Sequence, residues 1–256
     1  MQKIDWDQQI AAIWRAQQGV LKPVRRLDPV RLDQLLGIDE QKRQLVENTE
    51  KFLRGEPANH TLLWGARGTG KSSLIKALLN RFGSEGLRCI EINLQDLDDL
   101  PEIVDYLDSD EVCKYRFILF CDDFSFEKGD ERYKALKTIL AGSLELPPEN
   151  VLLYATSNRR HLIPESTQDN QQTKIVNGEL HHGDVVEETL SLADRFGLWL
   201  SFYPADWDSY LKIVDQYFSE FDGDRDQLHT AAKQFAMLRA SHSGRTAEQF
   251  FKSYSN

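Results

Sequence analysis

The sequence predicts an α/β protein: a five-stranded parallel sheet between helices, with a C-terminal helical lid. Three observations carry that reading. Continuous apolar runs alternate with amphipathic stretches from Leu62 to Phe202, a glycine-rich octapeptide follows the first run, and only helical periodicity remains beyond Pro204. Strands that are apolar throughout, instead of alternating with polar residues, belong to a parallel sheet covered on both faces.

Taken in order, Trp6, Ile10, Ile13 and Trp14 fall at helical spacing, so residues 4–18 read as an amphipathic helix docking on its own chain. A turn-rich break runs from Lys22-Pro23 to Pro29, and a second helix from Asp39 to Arg54, stopped by Gly55 and Pro57. Thr61-Leu62-Leu63-Trp64 is a short buried strand. The helix after it, Ser72 to Phe82, sets Leu74, Ile75, Leu78, Leu79 and Phe82 on one face and stops at Gly83. Further strands are expected at 87–92, 117–121, 151–155 and 198–202. Helices are expected at 100–107 and around Tyr133 to Ala141, the latter closing at Gly142. Residues 165–185 are polar and read as a mobile inserted loop. In the last stretch, Tyr210/Val214/Phe218, Leu228/Ala232/Phe235 and Ala247/Phe250/Phe251 mark three lid helices. The organisation is therefore an N-terminal helix and linker over 1–30, an α/β core over 31–204, and a lid over 205–256.

Composition narrows the function. With 256 residues, 41% hydrophobic and 28% charged, the chain is long enough for a large core domain and a small one. It has no apolar run near the length of a membrane span and no signal-peptide pattern at its start, so the expected compartment is the cytoplasm. Cys89, Cys113 and Cys121 form neither a disulfide framework nor a CxxC pair. A net charge of −10 disfavours generic binding to nucleic acid or anionic membranes. The basic clusters Arg159-Arg160-His161 and Lys22 with Arg25-Arg26 are small, and His181-His182 with Asp184 lacks a fourth metal ligand.

The octapeptide is Gly65-Ala66-Arg67-Gly68-Thr69-Gly70-Lys71-Ser72, a complete phosphate-binding loop set between a strand and a helix. Gly65, Gly68 and Gly70 let the backbone wrap a polyphosphate that Cβ atoms would keep away. Loop N–H groups and the helix N-terminus then face the negative charge. Arg67, Thr69 and Ser73 complete the expected cradle. Lys71 is placed to reach the β- and γ-phosphates of ATP, and the Ser72 hydroxyl to ligate Mg²⁺.

The apolar strand Phe117 to Cys121 delivers Asp122 and Asp123 at its C-terminal end. In an open parallel sheet that end lies beside the ligand crevice. Asp122 is the expected second metal ligand and Asp123 the group that accepts a proton from attacking water. The strand at Val151 ends in Thr156-Ser157-Asn158, and an amide at its tip could orient that water.

The set GARGTGKSS, FILFCDD, LLYATSNRRHL, SLADRFG and SGRTAEQF, in that order and at that spacing, resembles the AAA+ ATPase superfamily. ATSNRRHLIPE and SLADRFGLWLSF narrow the resemblance to a bacterial AAA+ subfamily of unassigned function. The resemblance implies that Lys71 and Ser72 are the Walker A pair, Asp122 the Walker B aspartate and Asn158 the sensor-1 residue. It also implies that Arg195 is an arginine finger acting in a neighbouring subunit, Arg245 the sensor-2 arginine, and Ile38 a linker residue touching adenine. A homo-oligomer follows from a finger acting in trans. Most AAA+ ATPases carry glutamate where this chain has Asp123, and the shorter side chain predicts slow basal hydrolysis.

Two functions follow. One is an ATPase that remodels, loads or switches a macromolecular partner, expected to be a protein. The other is an ATP-gated binding module with negligible turnover. The segment Asn93 to Pro101 has no aromatic–aliphatic–glycine pore loop, which argues against peptide threading, and a GTPase-type Asn-Lys-x-Asp segment is absent.

Overall fold

The computed structural model describes residues 4–125, 136, 140, 147–158, 174–176, 179–181 and 195–254. The five expected strands all form. They are β3 (Thr61–Gly65), β4 (Leu87–Glu91), β5 (Arg116–Cys121), β6 (Val151–Ser157) and β9 (Leu198–Phe202), and they pair in parallel.

The sheet is wider than the sequence predicts, because two N-terminal strands extend it. These are β1 (Ala11–Arg15) and β2 (Val20–Pro23), giving the order β2-β1-β4-β5-β6-β3-β9. β1 runs parallel to β4, with Ile13 opposite Glu91, and β2 closes the edge antiparallel. The amphipathic helix expected over residues 4–18 is thus replaced by a turn, a strand and a 3₁₀ turn at Ala16–Gln18. Ala12 and Trp14, two residues apart, enter one core cluster while Ala11 enters the other, which is strand alternation. Trp6 lies outside the strand. Its ring meets Phe117 edge-on at 5.1 Å, its Nε1 donates to Tyr106 Oη, and its carbonyl accepts from buried Arg88.

Two apolar layers cover the sheet. α1 (Asp39–Leu53) and α2 (Lys71–Phe82) pack on one face through Leu45, Phe52, Leu74, Leu78 and Phe82. α3 (Leu100–Leu107), Trp6, Trp14 and Leu136 pack on the other. Of the helix expected over Tyr133–Ala141, Leu136 and Leu140 are described and both are helical; the remainder lies outside the described residues. α2 does not stop in a left-handed Gly83, whose φ is −58°. The chain continues as a 3₁₀ turn to Gly86, where φ reaches +99°.

A buried polar hub ties α1 to the sheet. Asn48 Nδ2 donates to Asn59 O and Tyr154 Oη, Asn48 Oδ1 accepts from Asn59 N, and Thr49 Oγ1 lies 2.9 Å from Tyr154 Oη. Of the polar stretch read as a mobile loop at 165–185, only β7 (Lys174–Val176) and β8 (Glu179–His181) are described, and they pair antiparallel; the remainder lies outside the described residues. His182 and Asp184 lie outside the described residues.

Beyond β9 come α4 (Trp207–Tyr217), α5 (Arg225–Leu238) and α6 (Gly244–Tyr254), which share their own apolar cluster around Tyr210, Phe218 and Phe250. Asp206 caps α4 through Ser209 N at 2.7 Å, and Asp224 caps α5 through Asp226 N at 2.9 Å.

Candidate functional site

β3 ends at Gly65, where φ is +135° and the backbone runs against β9. Ala66 N donates to Phe202 O, and a Cβ at Gly65 would stand 1.9 Å from that oxygen. Only glycine fits there. The loop then turns through Gly68 and Gly70, both at positive φ, and is closed by Thr69 Oγ1 donating to Ala66 O at 2.8 Å. α2 starts at Lys71, so its first N–H groups open onto the loop's concave side.

Lys71 is buried, and its Nζ donates to Gly65 O, Ala66 O and Asn158 Oδ1 at 2.9, 2.7 and 3.2 Å. Burial pulls its pKa below the usual lysine range. The charges of Asp122 and Asp123 oppose that shift, and those of Arg245 and Arg67 add to it.

The β5 tip supplies the carboxylates. Ser72 Oγ donates to Asp122 Oδ1 at 2.7 Å, and Thr156 Oγ1 donates to the same oxygen. Asp123 adopts φ +53°, its N–H donates to Thr156 Oγ1 at 3.1 Å, and its Oδ1 accepts from Asn158 Nδ2 at 2.6 Å. β6 lies between β5 and β3, which puts Asn158 between the carboxylate strand and the phosphate-loop strand.

The Ser72 hydroxyl and the Asp122 carboxylate are hard oxygen donors in direct contact, a donor set that suits Mg²⁺. Among the described residues no group of three or more His, Cys, Asp or Glu is arranged to hold a metal by protein ligands alone. A magnesium ion held through one or two protein groups plus phosphate oxygens needs no such cluster.

The lid and the linker complete a cleft of ≈ 810 Å³. Gly68 faces α6 so closely that a Cβ would stand 2.6 Å from Ser243 Oγ and 3.3 Å from Arg245 Cβ. Ile38, buried at the start of α1, lies 3.5 Å from the Cβ position of Gly70. Ile38, Arg67 to Ser73, Asp122, Asp123, Asn158 and Arg245 all line this one cleft. Arg195 does not. It sits in the turn before β9, with Nη1 buried and unbonded among the described residues. Arg159 and Arg160 lie outside the described residues.

Sequence reasoning passed over Thr156, Tyr203, Tyr217 and Ser243, which also line the cleft. Tyr203 follows β9 directly, is 67% exposed and meets Trp64 edge-on at 6.1 Å. The one usable signal was position: Tyr203 and Thr156 stand at the C-terminal ends of strands, where α/β sheets bind ligands.

A family profile described as "Protein of unknown function (DUF815)" matches residues 7–256. The large subunit of replication factor C from Staphylothermus marinus is 33% identical over 69 residues, which is 27% of this chain and 16% of that subunit. The RuvB Holliday junction branch migration motor of Thermotoga maritima superposes with a TM-score of 0.51 at 14% identity, covering 89% of this chain and 72% of that one. A variant of the same motor gives 0.50 at 15%, covering 89% and 72%. At such identities these likenesses establish the fold, which is that of the AAA+ P-loop proteins.

Proposed function

We propose, from the premise that this chain belongs to the DUF815 family and has the AAA+ fold, that it binds Mg-ATP and hydrolyses it slowly between subunits of a homo-oligomer. The observation that carries this reading is the meeting, in one cleft, of the glycine loop, the Ser72–Asp122 pair and the Asn158–Asp123 pair.

Each residue then has a task. The N–H groups of the loop and of the first turn of α2 bind phosphate oxygens. Lys71 exchanges the loop carbonyls for the β- and γ-phosphates. Ser72 and Asp122 hold the Mg²⁺, whose contribution when bound is to neutralise charge on those oxygens. Asn158 and Asp123 orient the attacking water, and Asp123 takes its proton. Ile38 covers the base, and Arg245 reaches the phosphates from the lid. Arg195 lines no part of its own chain's cleft and is assigned to the neighbour's site, where such a group is worth roughly 10³ to 10⁵ in rate. Turnover is coupled to remodelling, loading or switching a macromolecular partner, with a protein favoured by the acidic surface. Branch migration belongs to the Thermotoga motor.

Calorimetry with Mg-ATP tests the core of this reading. Wild-type protein should release heat on titration and a Lys71→Ala variant should not; two equally silent titrations would end the case.

A second reading, an ATP-gated binding module with negligible turnover, is favoured by one observation. The Asp123 carboxylate is short, and one of its oxygens is already bonded to Asn158. Phosphate release measured with a candidate partner present separates the two, since a gated module stays silent.

A further inference from the structure

Thr156 is 2% exposed and is the penultimate residue of β6, where a β-branched apolar residue would pack as well. A buried hydroxyl must be bonded, so the destination of its bonds is informative. The regular pairing of β5 with β6 ends at Cys121 opposite Ala155. The backbone link then resumes with Phe124 N donating to Thr156 O at 2.6 Å, leaving Asp122 and Asp123 as a two-residue excursion from the ladder. Thr156 staples both members of that excursion. Its Oγ1 donates to Asp122 Oδ1 and accepts from Asp123 N.

Two consequences follow. Asp122 Oδ1 receives two hydroxyls from different elements, Ser72 from α2 and Thr156 from β6, which restrains the rotation of the carboxylate and leaves Oδ2 outside both bonds. Asp123, meanwhile, holds a left-handed backbone at φ +53°. That conformation costs a non-glycine residue about 1–2 kcal/mol, and Asp is among the few side chains that visit it. The hydroxyl of Thr156 meets the amide of the strained residue directly.

We propose that Thr156 is a positioning residue: through its hydroxyl it presets the Asp122 carboxylate for a divalent cation and the Asp123 backbone for its pairing with Asn158. The inference rests on the Mg-ATP reading above. It assigns to Thr156 the orientation of a ligand, a role distinct from that of the ligand itself.

The test is binding of a fluorescently labelled ATP to the full chain, in EDTA and across a magnesium titration, for wild type, Thr156→Val and Thr156→Ser. Val keeps the shape and removes the hydroxyl, whereas Ser restores it. In EDTA, Thr156→Val should bind within about twofold of wild type, while its half-saturating magnesium concentration rises about 10-fold or more, the usual cost of losing a ligand-orienting bond. Thr156→Ser should return to within about threefold of wild type.

A Thr156→Val titration matching wild type overturns the proposal. So does loss of binding in EDTA as well, because the residue is then needed for the fold at large, and so does a Ser variant no better than Val. If wild-type protein and Lys71→Ala alike bind no nucleotide, the Mg-ATP reading fails and takes this inference with it. That result is distinct from a wild-type chain that binds and a Val variant that binds identically.

Discussion

Asn158 Nδ2 donates to Asp123 Oδ1 at 2.6 Å, joining the tips of the two central strands. The opposite end of the same amide accepts from Lys71 Nζ at 3.2 Å. One side chain therefore touches the group expected to meet the phosphates and the group expected to meet water.

Replacing Asp123 by Asn should leave ATP binding nearly intact and reduce turnover by roughly 10² to 10⁴, the usual contribution of a general base. Nucleotide affinity and phosphate release measured on the same preparation check this. Undiminished turnover would move the base elsewhere.

Lys71→Ala should weaken ATP binding by about 10-fold or more, because a charge-assisted bond contributes about 1.5–3 kcal/mol. Its buried ammonium is released at the same time, so thermal stability should hold or rise while affinity falls. Calorimetric titration and thermal unfolding, run side by side, separate the two effects.

Arg195→Ala should lower hydrolysis by roughly 10³ without loss of nucleotide binding. Mixed with a Lys71→Ala chain it should recover activity, because each variant supplies what the other lacks across an interface. Gel filtration with ATP, alongside the mixing assay, tests whether an oligomer is present; a strict monomer of full activity contradicts the assignment.

His60 accepts a bond from Leu153 N through Nδ1 at 3.0 Å, and burial lowers its pKa from 6.5 to about 4. The unfolded imidazole takes up a proton near pH 6.5 and the folded one only near 4. The unfolded state thus binds more protons between those values, and stability is full above pH 6.5 and declines as pH falls toward 4. Melting temperatures across that window should drop more steeply for wild type than for His60→Gln.

Asn48→Leu should cost about 1–3 kcal/mol, because the Asn59 N–H loses its acceptor while the Asn59 carbonyl and the Tyr154 hydroxyl each lose one donor and keep Thr61 and Thr49. Denaturant unfolding gives the value directly.

The parts of this molecule legible in its sequence are those where local chemistry and final environment agree. β5 is apolar from Phe117 to Cys121 because helices cover both its faces, and the glycine loop announces itself because the backbone must do there what side chains would prevent. The N-terminal hairpin was not legible. Trp6, Ile10, Ile13 and Trp14 mimic helical spacing, yet Trp6 belongs to a turn and Trp14 to a strand, and both indoles reach one core by different routes. Gly19 at φ +60°, between the two strands, was the overlooked hairpin signal. Thr156 could not be singled out for a different reason. Threonine is an ordinary strand residue, and only the register that halts at Cys121 and Ala155 reveals where its hydroxyl goes.

β1 lies beside β4, although β3 and α2 come between them in the chain. β1 therefore leaves the ribosome well before the strand it docks on. Until Asp99, Tyr106 and Phe117 have also emerged, Trp6 and Trp14 travel on a nascent chain without the partners their indoles meet in the folded protein. Synthesis and pairing are out of step at this edge, because β1 and β2 must wait for a strand made after β3 and α2.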